Sequence, residues 1–273
     1  MTSDLSPTPL ERLVREVAQS PKYRFLSPEF IASVGARELA VRGPFKEAVK
    51  ATKRKLHQVT AAYVQEPAQY RRWLERLRAA HAEGEEAFQT ACREVMATHA
   101  SSRERLPILE RFYREPLASL APISRVLDIA CGLGPLGIPW MPLAPQAQYV
   151  AYDVDTALMA FLHEFLTLAG LEGRACAADV LQGLSEEGPF DVAYVLKALP
   201  CLEHIAPGCG ERLLEELPAR AILVSFPVAS LGGRAKGMPA HYEAYLKGLI
   251  ASKPWRIERF LFETELAFLI EKG

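Results

Sequence analysis

The stretch RVLDIACGLGPLG (125–137) holds a complete G-x-G-x-x-G, with Asp128 four residues ahead of Gly132. Glycines at this spacing allow a tight turn and close approach of the backbone to a ligand. In a dinucleotide site a pyrophosphate rests on the following helix N-terminus. A carboxylate at position 128 would sit beside those negative oxygens, which disfavours NAD. S-adenosyl-L-methionine reverses the sign, because it presents an ammonium and a sulfonium, and the loop fits that cofactor better. Asp153 closes YVAYD, 21 residues after Gly132, where an acid can accept from both ribose hydroxyls of either cofactor. Asp179 follows RACAA and could accept from an adenine amino group, with Val180 and Leu196 against the ring. A surface or capping role is open to each acid alone. Three acids closing three successive strands are harder to explain that way.

Other chemistries find less support. The run after the fourth strand reads KALPC (197–201), without the D/N-P-P-Y/F of adenine and cytosine N-methyltransferases. Pro200-Cys201 has the form of a cytosine-C5 nucleophile, yet nothing beside Cys201 supports a thiolate, and a small buried residue is the favoured reading. The histidines, at 57, 81, 99, 163, 204 and 241, never cluster at ligand spacing, so no metal is indicated. Five scattered cysteines without a C-x-x-C pair argue for reduced thiols.

Two kinds of element must position these residues. Up to about residue 119 the pattern is helical. LERLVREVAQ, FIASVGARELA, FKEAVKATKRKLHQVTAAYV and AQYRRWLERLRAAHA each follow a proline near the first turn, with apolar residues three and four apart. EEAFQTACREVMATHA and SSRERLPILERFYREPLASL continue the helical run. After Pro122 short apolar runs alternate with helices: RVLDIA, YVAYDV, RACAAD, DVAYVLK, AILVSF, RIERFLF and ELAFLIEK. This predicts an α/β fold with a mostly parallel, helix-flanked sheet, the last two runs forming a hairpin that adds an antiparallel edge strand. Ligands in such sheets bind beyond the carboxyl ends of the strands, which gathers Asp128, Asp153, Asp179 and Lys197 around one crevice. The expected division is a helical domain over 1–119 and a catalytic domain over 120–273.

The overall charge of −1 conceals a segregation. Residues 1–80 hold 15 Lys/Arg and 8 Asp/Glu, net +7, and residues 81–273 hold 17 and 25, net −8. A basic N-terminal third suggests a polyanion-docking surface, and a merely solvated helical face explains the count equally well. With an acid-bearing N-terminus and no apolar stretch approaching about 18 residues, the expectation is a cytoplasmic protein without membrane association.

Once the glycine loop is read as a methyl-donor site, the chain resembles, over nearly its whole length, the aminoglycoside-resistance methyltransferases of 16S ribosomal RNA, the guanine-N7 group of actinomycete producers and resistant pathogens. The matching pieces are KATKRKLH (50–57), THASSRERLPIL (98–109), DIACGLGPLGIPWM (128–141), LKALPCLE (196–203), SFPVASLGGRAKGM (225–238) and TELAFLIEK. One departure is Gly134, where the family usually has Asn. The resemblance implies a class I methyltransferase (Rossmann-like) domain preceded by an all-helical one. It also implies that Tyr63, His99, Ser101 and Arg105 lie over the donor, with Arg105 pairing its carboxylate. Asp128, Ala130, Gly132, Asp153, Asp179, Val180 and Leu196 complete the expected donor site. Lys197 is the candidate for contacting the target guanine or a nearby phosphate, structural ion pairing being an equal alternative. Lys50, Lys53, Arg54, Lys55, Arg71 and Arg72 are expected to dock RNA, and Arg234 and Lys236 to grip it near the target base. The implied partner is the assembled 30S subunit, met by a monomer, with no DNA involved. A different ribosomal target, including adenine N1, and a catalytically silent RNA-binding assembly factor are the alternatives; a nicotinamide dehydrogenase is a poor third.

Overall fold

The computed structural model describes residues 6–60, 66–184, 188–229 and 237–273. Seven strands form one sheet: β1 Ile123–Ile129, β2 Leu143–Asp153, β3 Glu172–Ala177, β4 Phe190–Leu196, β5 Ala219–Pro227, β6 Arg256–Leu261 and β7 Glu265–Glu271. Their order is β3-β2-β1-β4-β5-β7-β6. β1 to β5 are parallel, and β7 runs antiparallel to both β5 and β6. The direction of winding reverses between β1 and β4, and that switch point is where open parallel sheets hold their ligands.

The terminal hairpin forms as the sequence predicts and makes one edge of the sheet, with its antiparallel strand β7 next to β5 and β6 outermost. ELAFLIE is apolar enough to be covered on both faces, so β7 inserts between β5 and β6, whereas RIERFL exposes its charged residues as the true edge.

Ahead of the sheet come α1 Pro9–Ala18, α2 Pro28–Val41, α3 Phe45–Thr60, α4 Pro67–Glu83, α5 Glu85–Met96, α6 Ala100–Arg105 and α7 Leu109–Arg114. Proline occupies the first turn of α1, α2 and α4, where its missing N–H costs nothing. Thr8 closes a capping box with Glu11, and Ser27 caps α2. The long run after His99 breaks into α6, a 3-10 turn at Leu106–Ile108 carrying Pro107, and α7. The glycine loop also departs from the dinucleotide pattern. It leads into a 3-10 stretch, Gly134–Trp140, and Pro139 inside that stretch denies it a continuing α-helical hydrogen bond.

α1, α2 and α3 pack on one face of the sheet with α9 (Leu199–Ile205), α10 (Cys209–Glu216) and α11 (Met238–Leu249), over a core that includes Leu127, Ile129, Val195 and Val224. α4, α5, α7 and α8 (Thr156–Leu168) cover the other face, over Val126, Tyr149, Tyr194 and Leu223. Packing therefore continues across residue 119, each layer joining N-terminal helices to sheet residues. No helix among the described residues is long and apolar enough to cross a membrane.

Candidate functional site

A cleft of about 350 Å3 opens at the carboxyl ends of the parallel strands. Its walls bring together His99, Ser101, Arg105, Ala130, Gly132, Asp153, Asp179, Val180, Leu196 and Lys197, from segments more than ninety residues apart in sequence. Two of these, Ala130 (φ 49°) and Lys197 (φ 57°), hold left-handed backbone at the ends of β1 and β4. Such conformations cost about 1–3 kcal/mol each and cluster where a site fixes geometry. Gly132, at φ 50°, turns the loop so closely under His99 that a Cβ there would lie 3.4 Å from the imidazole.

Asp153 anchors that loop. Its Oδ2 accepts from the Gly132 amide at 2.9 Å and its Oδ1 from Val154 at 2.7 Å. Burial raises its pKa, opposed by these amide hydrogen bonds. Asp179 is buried and caps the short 3-10 turn Val180–Gln182, Oδ1 accepting from Leu181 at 3.0 Å. Val180 and Leu196 supply apolar wall beside it. Asp155, a further acid on the cleft, caps α8 and receives the Tyr70 hydroxyl at 3.3 Å, and burial pushes it up to about 6.

Asp128 is not on the wall. In β1 it shares the Val126 face, because side chains alternate, and that face is turned toward Tyr149 and Tyr194. The carboxyl is 1% exposed, receives the Tyr149 hydroxyl at 2.7 Å, and lies 3.0 Å from where a Cβ of Gly134 would be. A side chain at 134 would press on Asp128, so Gly134 and this carboxyl placement belong together. Burial pushes Asp128 up to about 7, with Tyr149 and Arg105 opposing and Asp153 adding to the rise. An unfolded Asp titrates near 3.9. Between about pH 4 and 7 the folded chain therefore keeps a proton that the unfolded chain has lost, and stability falls as pH rises through that window. Asp128→Asn is expected to flatten this dependence and to be the more stable protein at pH 8. Urea unfolding at pH 5, 6, 7 and 8 checks it, and parallel curves for the two proteins would count against the buried carboxyl.

Arg105, Lys197 and Glu104 on the cleft belong to a charged cluster whose centre, Glu265, is buried behind them. Arg105, 2% exposed, is held bidentately by Glu265, with Nε to Oε2 at 3.1 Å and Nη2 to Oε1 at 2.6 Å. Ser225 donates to the same carboxylate at 2.5 Å. The Lys197 ammonium reaches the Ser101 carbonyl at 2.7 Å, Glu104 at 3.0 Å and Glu265 at 3.4 Å. Burial alone would raise the pKa of Glu265, but Arg105, Lys197 and the hydrogen bonds from Arg105 and Ser225 bring it below the usual range. Lys197 thus makes the structural ion pairs weighed as its alternative reading, and Arg105 has an internal carboxylate partner. Burial, aided by Lys197 and Arg105, lowers His99 to about 4, so the imidazole is neutral.

Sequence reasoning missed Glu265, Ser225, Glu104 and Asp155. The available signal for Glu265 was a lone acid opening an apolar strand, which demands a counter-charge. Cys201 lines the cleft, but burial pushes its thiol up, against a nucleophilic role. No cluster of metal-ligating side chains occurs among the described residues.

Among the expected RNA contacts, Lys50 and Arg54 are exposed on α3, Lys53 is half-buried, and Lys55 pairs with buried Glu38 at 3.2 Å. Arg71 and Arg72 are exposed on α4, which belongs to the opposite face of the sheet from α3. Tyr63, Arg234 and Lys236 lie outside the described residues.

The donor set suits S-adenosyl-L-methionine. Its cleft has an acid on the loop turn, an apolar slot beside a second acid, and a guanidinium on its wall. Together with this strand order and the antiparallel β7, the site defines a class I methyltransferase. The chain belongs to the family described as Ribosomal RNA methyltransferase (FmrO), which matches residues 19–269. It is 35% identical over 275 residues to a 16S rRNA (guanine(1405)-N(7))-methyltransferase of Micromonospora echinospora, covering 100% of both chains. It is 31% identical to the enzyme of that name from Serratia marcescens, covering 94% of this chain and 96% of that one. The crystal structure of the 16S rRNA methyltransferase RmtF in complex with S-adenosyl-L-homocysteine is similar at a TM-score of 0.81, with 26% identity, covering 98% of this chain and 100% of that one.

Proposed function

We propose that the protein transfers a methyl group from S-adenosyl-L-methionine to N7 of guanine 1405 in 16S ribosomal RNA of the assembled 30S subunit, and so confers aminoglycoside resistance. The observation that carries this is the full-length relation to enzymes of that name, joined to a cleft whose acids and guanidinium suit the donor. When bound, the donor supplies an electrophilic methyl on a sulfonium.

The protein's share of the chemistry is placement. Guanine N7 carries an unshared pair and no proton, so no general base is required, and the neutral His99 and ion-paired Lys197 are consistent with that. Asp153 holds the Gly132 turn and offers its remaining acceptor capacity to ribose hydroxyls, Asp179 receives the adenine amino group, and Val180 and Leu196 pack on its ring. Arg105 faces the donor carboxylate with the N–H groups that Glu265 leaves over. Rate enhancement comes from alignment and from exclusion of water, for which the base must leave its helix. The methylated guanine carries a fixed positive charge, which opposes the ammonium groups of aminoglycosides. Primer extension on treated subunits, with borohydride and aniline cleavage at N7-methylguanine, tests the assignment; a stop at any other nucleotide would replace it.

The basic face of α3 docks on RNA phosphates in this reading, the protein acting as a cytoplasmic monomer. Lys50→Ala, Lys53→Ala and Arg54→Ala combined are expected to weaken subunit binding and reduce its salt dependence, each lost phosphate contact lowering the logarithmic slope by roughly 0.7–0.9. Lys55 is left in place because it neutralises Glu38. Donor affinity should not change. Normal subunit binding at every salt concentration would reduce the basic region to a solvated face.

A further inference from the structure

The cleft has two unlike halves. Asp153, Asp155 and Asp179 belong to the side over β2 and β3, the donor side. Beyond β4 and β5 the wall is made by Pro200, Cys201, Pro227, Ala229, Met238 and Tyr242, and none of them bears a charge. Tyr242 is the only aromatic ring among these six. It lies parallel on Phe226, with centroids 4.6 Å apart and an interplanar angle of 14°. Phe226 is wholly buried in β5 and is wedged edge-on by Tyr245 and Phe268. One face of Tyr242 is therefore fixed to the sheet, and the half-buried remainder of the ring borders the cleft.

We infer that Tyr242 is the platform on which the target purine stacks during methyl transfer. This rests on the methyltransferase reading above and adds a specificity-determining contact to it. A base swung out of an RNA helix loses its stacking partners, and an immobilised aromatic face restores one. In the transfer, the N7 lone pair forms the new N–C bond as the S–C bond breaks, and the electrons of that bond return to sulfur. No proton moves, and the positive charge passes from sulfonium to purine ring. An aromatic face attracts a cationic ring more than a neutral one, so Tyr242 stabilises the transition state beyond the ground state and acts on kcat.

The aromatic face carries this role and the hydroxyl does not, which fixes the test. Tyr242→Phe should methylate subunits at close to the parent rate. Tyr242→Leu should lower the single-turnover rate, at saturating donor and subunits, by on the order of 2- to 30-fold, the range that loss of one cation–aromatic contact in the transition state implies. Donor affinity by calorimetry should match the parent in both variants, thermal unfolding should match it in Tyr242→Phe and fall only modestly in Tyr242→Leu, which loses the stack on Phe226, and subunit affinity by filter binding should fall far less than the rate. A parent-like rate for Tyr242→Leu would overturn the platform. So would a Tyr242→Phe as slow as Tyr242→Leu, or a rate loss accompanied by an equal loss of donor affinity. A parent protein that never methylates guanine N7 would instead overturn the underlying reading, and the platform with it.

Discussion

Replacing Glu265 by alanine is expected to lower stability by about 3–5 kcal/mol, the range found when one partner of a buried ion pair is removed. The carboxylate is inaccessible to solvent and serves three donors at once: the Arg105 guanidinium, the Ser225 hydroxyl and the Lys197 ammonium. Without it a guanidinium that is 2% exposed keeps its charge, since arginine does not deprotonate in proteins. The loss measures an abandoned cation more than the worth of the bridge, and a double variant shows this. Adding Arg105→Met to Glu265→Ala removes the stranded charge and should return part of the stability, while abolishing the guanidinium's service to the donor. Glu265→Gln, which keeps the shape and one acceptor, should fall between parent and alanine. Urea unfolding of the four proteins is the measurement. A loss below about 1 kcal/mol in Glu265→Ala would place the pair in contact with water, the behaviour of an exposed bridge.

That cluster also marks where reading from sequence stops. Arg105 and Glu265 are 160 positions apart, and no local pattern joins a helical Arg to an acid opening a terminal strand. Asp153 and Asp179 were legible because each follows a short apolar run, and a parallel sheet delivers all such strand ends to one edge. Asp128 looked equivalent but is one residue out of phase. It precedes the end of β1, where the period of two sends its side chain to the face of Tyr149, beneath the loop it was expected to line. Strand identity came from β-branched and aromatic runs, whereas the insertion of β7 between β5 and β6 depends on which run can be covered on both faces. Tyr242 gave no signal at all. A tyrosine in MPAHYEAYLKGL is ordinary until β5 brings Phe226 beneath it.

Asp153→Ala is expected to weaken the methyl donor by more than about 100-fold, because two kinds of support disappear together. The first is direct: hydrogen bonds to an ionised carboxylate are worth about 1.5–3 kcal/mol each, and two ribose hydroxyls depend on it in the proposed pose. The second is the loop itself. Gly132 holds a left-handed turn whose amide donates to Oδ2, while Val154 donates to Oδ1. Alanine leaves both amides without these acceptors, so the turn must reorganise before it can receive a ligand. Asp153→Asn separates the contributions. Its one oxygen can hold Gly132 or Val154 but not both, so donor affinity should fall by an intermediate factor. Asp179→Ala should be the milder of the two alanine variants, because in the proposed pose it accepts one hydrogen bond from the adenine amino group where Asp153 accepts two from the ribose, and it anchors no glycine. Burial raises the Asp153 pKa above that of an ordinary carboxyl, and protonation removes acceptor capacity. Donor affinity should accordingly weaken as pH falls through that raised value in the parent, and Asp153→Asn should lack this component. Calorimetric titration of the donor across pH, with circular dichroism to establish that each variant is folded, decides the matter. A folded Asp153→Ala that binds the donor as tightly as the parent would remove the ribose from this end of β2 and turn the carboxylate into a loop anchor alone.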